Sequence, residues 1–125
     1  MANNTVKAKE SKAVVEPIKL RDDVGNIYVL EFNRATVKFA EERGFKVNGI
    51  DEGAIITTAE QLFYYSFRMH QPKITKAETD RFLYEKLKGM PEGMLDRLVD
   101  LYLEPVFSLA QKEDDAKNAT MTAEF

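Results

Sequence analysis

The 125-residue chain contains no cysteine, no tryptophan and only one histidine, His70. Without thiols it cannot form a disulfide, a thiolate metal site or a cysteine nucleophile. No apolar run approaches the roughly 20 residues that a membrane-spanning helix needs, and the N-terminus lacks the apolar core of a signal peptide. We therefore expect no membrane partner and a location in the cytoplasm where the chain is made.

An excess of charge of one sign is also missing. The 18 basic and 21 acidic residues give a formal net charge of -3. This balance provides no strong field to attract nucleic acid or anionic lipid. Glycines are too scattered for a phosphate-binding loop, because Gly44, Gly49 and Gly53 are not followed by a Lys-Ser/Thr pair. The chain is expected to be a packed domain that binds no nucleic acid.

The patterns that are present predict one α+β domain over residues 18–110. Residues 1–17 are polar and lysine-bearing and are expected to form a flexible N-terminal tail. Residues 111–125 have no periodicity and few large apolar side chains, which predicts a disordered C-terminal tail. The predicted architecture is an N-terminal β-hairpin followed by about four packed α-helices.

The hairpin is predicted from two short alternating runs that flank a turn at Gly25. Ile18 and Leu20 are the alternating residues of the first arm. Ile27 and Val29 are those of the second arm, with Glu31 as a further candidate. The register of the two arms stays open at this stage.

The run EFNRATVKFAEERGF, residues 31–45, contains the boundary signals of a helix. Asn33 is a good N-cap residue, and Phe32 and Val37 occupy the two positions of a hydrophobic staple. Gly44 is placed to end the helix in a left-handed conformation. The unusual residues of this run are therefore explained by helix boundaries and not by chemistry.

Three further helices are predicted downstream. One covers about residues 54–70, the next begins with a Thr75 capping box, and the last begins at Pro91. Pro105 is expected to bend or break the last helix. The core face of the first of these helices is expected to carry Ile55, Ala59, Leu62, Phe63, Ser66 and His70.

Candidate catalytic and metal-binding residues are few. His70 has no partner in any recognisable motif, so a structural role is favoured over general acid–base catalysis. Four carboxylates recur at every fourth position of the last helix, which favours a solvated face, with a partner-facing acidic stripe as the alternative. These four residues are Glu92, Asp96, Asp100 and Glu104. We expect no catalytic residue, no metal site and no cofactor.

The segment LFYYSFRMH, residues 62–70, places large side chains around more than one face of its helix. Burial on two sides is one interpretation. The other leaves Tyr64, Tyr65 and Arg68 for a partner, because Tyr and Arg are common in interface hot spots. A second candidate contact patch consists of Val99 and Leu103, which flank the acidic positions.

Three motifs occur in the same order as in a known group of proteins. The chain resembles the tail assembly chaperones of long-tailed phages and prophages of Gram-positive bacteria. The resemblance covers residues 18–110 and depends on three runs of residues. These are Glu31, Phe32, Asn33, Arg34, Thr36, Val37, Glu41 or Glu42, Gly44 and Phe45; Phe63, Tyr64, Phe67, His70 and Pro72; and Leu101, Tyr102, Glu104 and Pro105.

The resemblance implies a protein without enzymatic activity that acts in phage tail assembly in the host cytoplasm. Such a protein would bind the tape measure protein and keep it soluble until the tail tube protein, a second candidate partner, polymerises around it. Self-association is a further expectation. The family brings no catalytic, cofactor or metal residue to this chain.

Two other functions remain open from the sequence. The chain could be a phage regulatory or inhibitory protein that binds a host factor through the aromatic helix face. It could also be a small enzyme built around His70. A morphogenetic protein that is retained in the finished tail is a variant of the chaperone hypothesis.

Overall fold

The computed structural model describes residues 14–125. Most of the predicted N-terminal tail, residues 1–13, lies outside this range. The end of that tail contacts the last long helix, because the Val15 N–H donates to the Glu104 carboxylate at 2.8 Å. The Arg97 guanidinium donates to the Glu16 carbonyl at 3.1 Å. The chain thus enters the domain along this helix.

The predicted hairpin is confirmed, with strand β1 at Ile18–Arg21 and strand β2 at Ile27–Leu30. The two strands are antiparallel and form the whole sheet in the described part of the chain. The register pairs Ile18 with Leu30, Lys19 with Val29, Leu20 with Tyr28 and Arg21 with Ile27.

The alternating residues Ile27 and Val29 do not form the core-facing side of β2. Tyr28 and Leu30 share a face with Ile18 and Leu20, whereas Ile27 is exposed.

The turn decides which residues of β2 face the core. Its conformation is held by the Asp22 carboxylate, which accepts hydrogen bonds from the backbone N–H groups of Val24 and Asn26. The resulting loop places Arg21 opposite Ile27, and a shift of one residue would exchange the two faces of β2.

Helix α1, Arg34–Glu42, has the boundaries that its sequence predicts. Asn33 Oδ1 accepts the Thr36 N–H at 2.8 Å, and Thr36 Oγ1 accepts the Asn33 N–H at 2.9 Å. Gly44 has a φ of +85°, and the N–H groups of Gly44 and Phe45 donate to carbonyls of the last turn. This run is therefore a capped helix.

Three helical segments and a 3₁₀ turn lie between α1 and the last long helix. A 3₁₀ turn at Val47–Ile50 leads into α2, Ile55–Ser66, which ends four residues before the predicted boundary. Helix α3, Lys76–Arg81, begins with the predicted Thr75 capping box. It continues into a π-helical turn, Phe82–Lys86.

Helix α4, Met94–Phe107, begins three residues later than predicted. Gly93 has a φ of +85° and cannot be part of the helix, so Pro91 precedes the first turn without belonging to it. Pro105 does not break α4, which continues to Phe107. In the predicted C-terminal tail, a short exposed helix α5 covers Glu113–Asn118. Its acidic first turn and basic last turn complement the helix dipole, a stabilising effect that apolar periodicity does not reveal.

Helix α2 lies at the centre of the domain and packs against α1, α3 and α4. Aromatic rings fill much of the core, with Phe63 and Phe67 at 5.0 Å and Phe45 and Tyr102 at 5.4 Å between ring centroids. The fold is the predicted α+β arrangement of one hairpin followed by packed helices. No helix within residues 14–125 has the length and apolar character needed to span a bilayer.

Candidate partner-binding site

Tyr65 does not have the predicted surface role. Its side chain is only 6% exposed and lies against the rings of Phe39 and Phe45, with centroids 6.1 and 5.5 Å away. Burial raises the pKa of the Tyr65 hydroxyl. Tyr65 is therefore part of the core, and α2 is buried on two sides, as the alternative interpretation of this segment holds.

Arg68 is engaged within the chain. Its guanidinium carbon lies 3.6 Å from the centroid of the Phe39 ring, and that of Arg43 lies 3.3 Å from the same centroid. Two groups this close to one centroid must lie on opposite faces of the ring. Arg68 also donates to the Pro72 carbonyl at 2.7 Å. The stacked arginines stabilise the junction of α1 and α2.

Of the predicted aromatic contacts, Tyr64 keeps a half-buried ring over which no cation of residues 14–125 lies. It lies beside Tyr65, with 5.0 Å between ring centroids. Val99 and Leu103 are both half-buried against the core. Val99 also lines a surface recess, to which none of Tyr64, Tyr65 and Arg68 contributes. The structure does not combine the five predicted contacts into one surface.

An open groove lies where α2, the π-helical turn and α4 meet. We call it the apolar groove; its volume is about 380 Å³. Two isoleucines of the first turn of α2 project into solvent at its edge, Ile55 at 54% exposure and Ile56 at 70%. Tyr84 is 50% exposed on the facing wall. The main lining residues are Ile55, Ile56, Tyr84, Met90, Leu95 and Asp96.

This groove was not predicted from the sequence. The prediction that Ile55 and His70 share the core face of the helix is wrong, because Ile55 is exposed and His70 is an exposed residue beyond the end of α2. Ile55 and Ile56 are 54% and 70% exposed, whereas the adjacent Leu62 and Phe63 further along the same helix are both buried.

The two adjacent isoleucines at the helix start were the feature of the sequence that could have indicated an exposed apolar patch. The other walls come from elements distant in sequence, such as Tyr84 in the π-helical turn and Leu95 in α4.

A second depression continues from the groove on the other side of Leu95 and Asp96. We call it the acidic recess; its volume is about 480 Å³. Leu95 and Asp96 line both depressions, so the two form one surface along α4. The main lining residues of the recess are Val47, Asp51, Leu95, Asp96, Val99 and Asp100.

The charge of this combined surface is negative. Glu60 and Asp96 line the groove, and Asp51 and Asp100 line the recess, whereas neither lining includes a Lys, Arg or His among the residues that the structure describes. The Tyr84 hydroxyl donates to the Glu60 carboxylate at 2.5 Å. This bond lowers the pKa of Glu60, an effect that burial opposes and that the Lys76 ammonium, 3.4 Å away, reinforces. Glu60 is thus held in its charged form at neutral pH.

Among the remaining candidates from the sequence, His70 and Glu104 have hydrogen-bond partners within the chain, and Glu92 precedes the start of α4. His70 Nε2 lies 2.5 Å from the Glu31 carboxylate, a partner that no local motif indicated. Asp96 and Asp100 border the apolar groove or the acidic recess, whereas Glu104 accepts the Val15 N–H. Within residues 14–125, no group of three or more His, Asp or Glu side chains is arranged to hold a metal ion.

The three motifs of the resemblance meet in space. Glu31 of the first motif contacts His70 of the second, and the ring of Phe32 lies 5.1 Å from that of Tyr102 in the third. Arg34 donates to the Ser108 carbonyl at 2.6 Å, beyond the last turn of α4. These contacts join the segment between β2 and the start of α1 to the turn that follows α2 and to α4. The motif residues therefore maintain the fold, while the groove is lined by other residues.

The fold and this surface define a small α+β protein with an open groove between helices. The groove is lined mainly by apolar side chains and is bordered by carboxylates. The chain belongs to the family described as a domain of unknown function (DUF5055), which it matches over residues 1–125. No curated protein and no solved structure matches the chain.

Proposed function

We propose that this protein is a non-enzymatic chaperone of phage tail assembly. It would bind the tape measure protein in the host cytoplasm and keep it soluble until the tail tube protein assembles around it. The ordered resemblance over residues 18–110 supplies the class of function. The observation that carries the proposal is the groove with its exposed isoleucines, Ile55 and Ile56.

Exposed apolar side chains next to a depression are a common feature of protein-binding surfaces. A long amphipathic helix exposes an apolar stripe and aggregates when nothing covers it. A groove between helices covers such a stripe through contacts at positions i, i+3 and i+4 of the client. Several copies along one client would add avidity, so each single site can be weak.

No observation favours the regulatory alternative over this proposal. That alternative depended on an aromatic face of α2, where Tyr65 is buried and Arg68 is stacked on Phe39. His70 lies against Glu31, and no nucleophile is bonded to it among the hydrogen bonds of the described residues. Neither a host-factor site nor an enzyme is therefore proposed.

The test is co-expression of the chain with a tape measure protein, the client that the proposal names. We expect the soluble fraction of that client to increase severalfold, and several copies of the chain to co-purify with each client. An unrelated acidic protein of similar size is the control for a nonspecific effect of expression load. A client that precipitates to the same extent with either protein would contradict the proposed function.

A further inference from the structure

We propose that the apolar groove and the acidic recess together bind one amphipathic α-helix whose apolar stripe is flanked by lysine or arginine. This inference rests on the proposed client-binding function and specifies the chemistry of the client segment. It concerns a surface to which no motif of the resemblance contributes.

The apolar part of the site selects an apolar stripe on the partner. Ile55, Ile56 and Tyr84 are each at least half exposed at the groove edge. Leu95 is half-buried and Leu83 forms a buried part of the lining. A partner side chain that enters here would remove apolar surface from water on both sides, which is the main source of affinity in helix–groove binding.

The walls of the site favour a helical partner over an extended one. Most of the lining comes from α2, the π-helical turn and α4, and none of the described lining residues belongs to a strand whose edge could pair with an extended segment. An extended segment would find few backbone partners there, and its own N–H and C=O groups would lose their bonds to water. A helix satisfies its backbone internally and presents only side chains.

The charges of the site select basic flanks. Asp96 and Asp100 are one turn apart on α4, next to the apolar pair Leu95 and Val99 in the same spacing. An apolar row and an acidic row therefore run side by side for about 6 Å along the helix axis. A partner helix lying along α4 would match them with an apolar row and with basic residues spaced i, i+3 or i, i+4.

Glu60 extends the acidic border to the opposite wall. Its carboxylate is fixed by the Tyr84 hydroxyl, and Lys76 near it is also bonded to Asp80 at 2.8 Å. Lys76 is shared between the carboxylates of Glu60 and Asp80, so one positive charge faces two negative charges and this wall keeps a net negative charge. Basic residues on both flanks of the partner stripe would then face carboxylates.

The test uses labelled helical peptides of about 18 residues, long enough to form a helix on binding. All carry one identical leucine stripe, and the flanks are lysine in one peptide and glutamate in the other. Fluorescence anisotropy with the full chain should give at least tenfold tighter binding of the lysine peptide. That binding should weaken as salt is raised, because exposed charges are screened.

Two double substitutions locate the site. Ile55→Ser with Ile56→Ser should weaken binding of the lysine peptide tenfold or more. Val24→Ser is the control at an apolar residue of the hairpin turn that is 77% exposed, and it should leave this binding unchanged. Asp96→Asn with Asp100→Asn should weaken binding of the lysine peptide about two- to thirtyfold, the range for two exposed ion pairs. Asp114→Asn with Asp115→Asn in the exposed helix α5 is the matched charge control.

Several outcomes would overturn the inference. Equal binding of the glutamate peptide would remove the charge preference, and unchanged binding by the isoleucine variant would remove the groove. If the groove instead holds a second copy, sedimentation will show a dimer that the isoleucine variant dissociates, together with no peptide binding.

The inference and the proposed function can fail separately. If the wild-type chain solubilises the tail client and both groove variants do so equally well, the function holds and the groove assignment is wrong. If the lysine peptide binds as expected but the client precipitates, the site is correct and the chaperone function is wrong.

Discussion

The hydroxyl of Tyr84 donates to the carboxylate of Glu60 at 2.5 Å and joins the π-helical turn to α2 across the apolar groove. The bond holds Tyr84 over the groove although half of its side chain is in solvent. It also fixes a negative charge beside the exposed isoleucines. This one contact between two helical segments thus fixes one wall of the candidate site and one of its four carboxylates.

Removing this contact should change the pH dependence of stability. The pKa of Glu60 is lowered from its usual value of 4.5, mainly by the Tyr84 bond. Its stabilising contribution is therefore present above pH 4.5 and is lost as the pH falls through the folded-state pKa. We expect Tyr84→Phe to reduce the free energy of unfolding by about 0.5–1 kcal/mol at pH 7, with a smaller loss at acidic pH.

Urea unfolding of the wild type and Tyr84→Phe from pH 3 to pH 7 measures this difference. Glu60→Gln should give the same flattened profile, because it removes the titrating partner. A constant difference between wild type and Tyr84→Phe at every pH would show that the hydroxyl acts independently of the Glu60 charge.

Tyr102 should control stability at the alkaline end. Burial raises the pKa of Tyr102 to about 12, with the charges of Glu41 and Tyr65 adding to the effect. The unfolded chain loses this proton near pH 10, so the folded state is destabilised as the pH rises from about 10 to 12. The loss has an upper limit of about 2.7 kcal/mol, since each pKa unit corresponds to 1.36 kcal/mol.

Unfolding free energies measured between pH 8 and pH 11.5 test this prediction, and Tyr102→Phe should show a shallower decline than the wild type. Absorbance titration of phenolate in the folded wild type should leave one tyrosine protonated after the others have ionised. Identical slopes for the two proteins would contradict the assignment to Tyr102.

Tyr64 and Tyr65 are neighbours in sequence and should differ sharply in their effect on stability. Tyr65→Ala removes a buried ring from contact with Phe39 and Phe45 and should cost about 3–5 kcal/mol. Tyr64→Ala removes a half-buried ring at the edge of the core and should cost about 1 kcal/mol. Urea midpoints at pH 7 compare them, and equal losses would contradict the burial of Tyr65.

Gly49 should be required for the close packing of the 3₁₀ turn on α2. A Cβ at position 49 would overlap Thr58 Oγ1, and Thr58 is buried and β-branched, so it has little freedom to move. Gly49→Ala should therefore lower stability by about 1–3 kcal/mol. In a double-mutant cycle, Gly49→Ala should cost much less in a Thr58→Ala background. Additive effects would mean that the two residues do not contact each other.

The helix boundaries were predictable where they depend on neighbouring residues. The Asn33 and Thr75 caps and the Gly44 ending involve only hydrogen bonds within one turn, so local spacing is sufficient to predict them. The start of α4 was misplaced because proline suits a first helical turn wherever it stands, and only the left-handed Gly93 decides the boundary.

The site was not predictable in the same way. The choice between Tyr64 and Tyr65 depends on where α1 places Phe39, which the spacing within α2 does not contain. The groove requires Ile55, Tyr84 and Leu95 to meet, and these come from three elements. Periodicity reports which residues share a face of one helix, but not which faces of different helices leave a space between them.

Amide chemical-shift mapping of the labelled chain with the lysine-flanked peptide would test the groove most directly. Perturbations should concentrate in the first turn of α2, around Tyr84, and at Leu95 to Asp100 on α4, with the hairpin turn and α5 unaffected. Perturbations that instead centre on Tyr64, Arg68 and Phe39, with none at Ile55 or Leu95, would contradict the assignment of the groove as the partner-binding site.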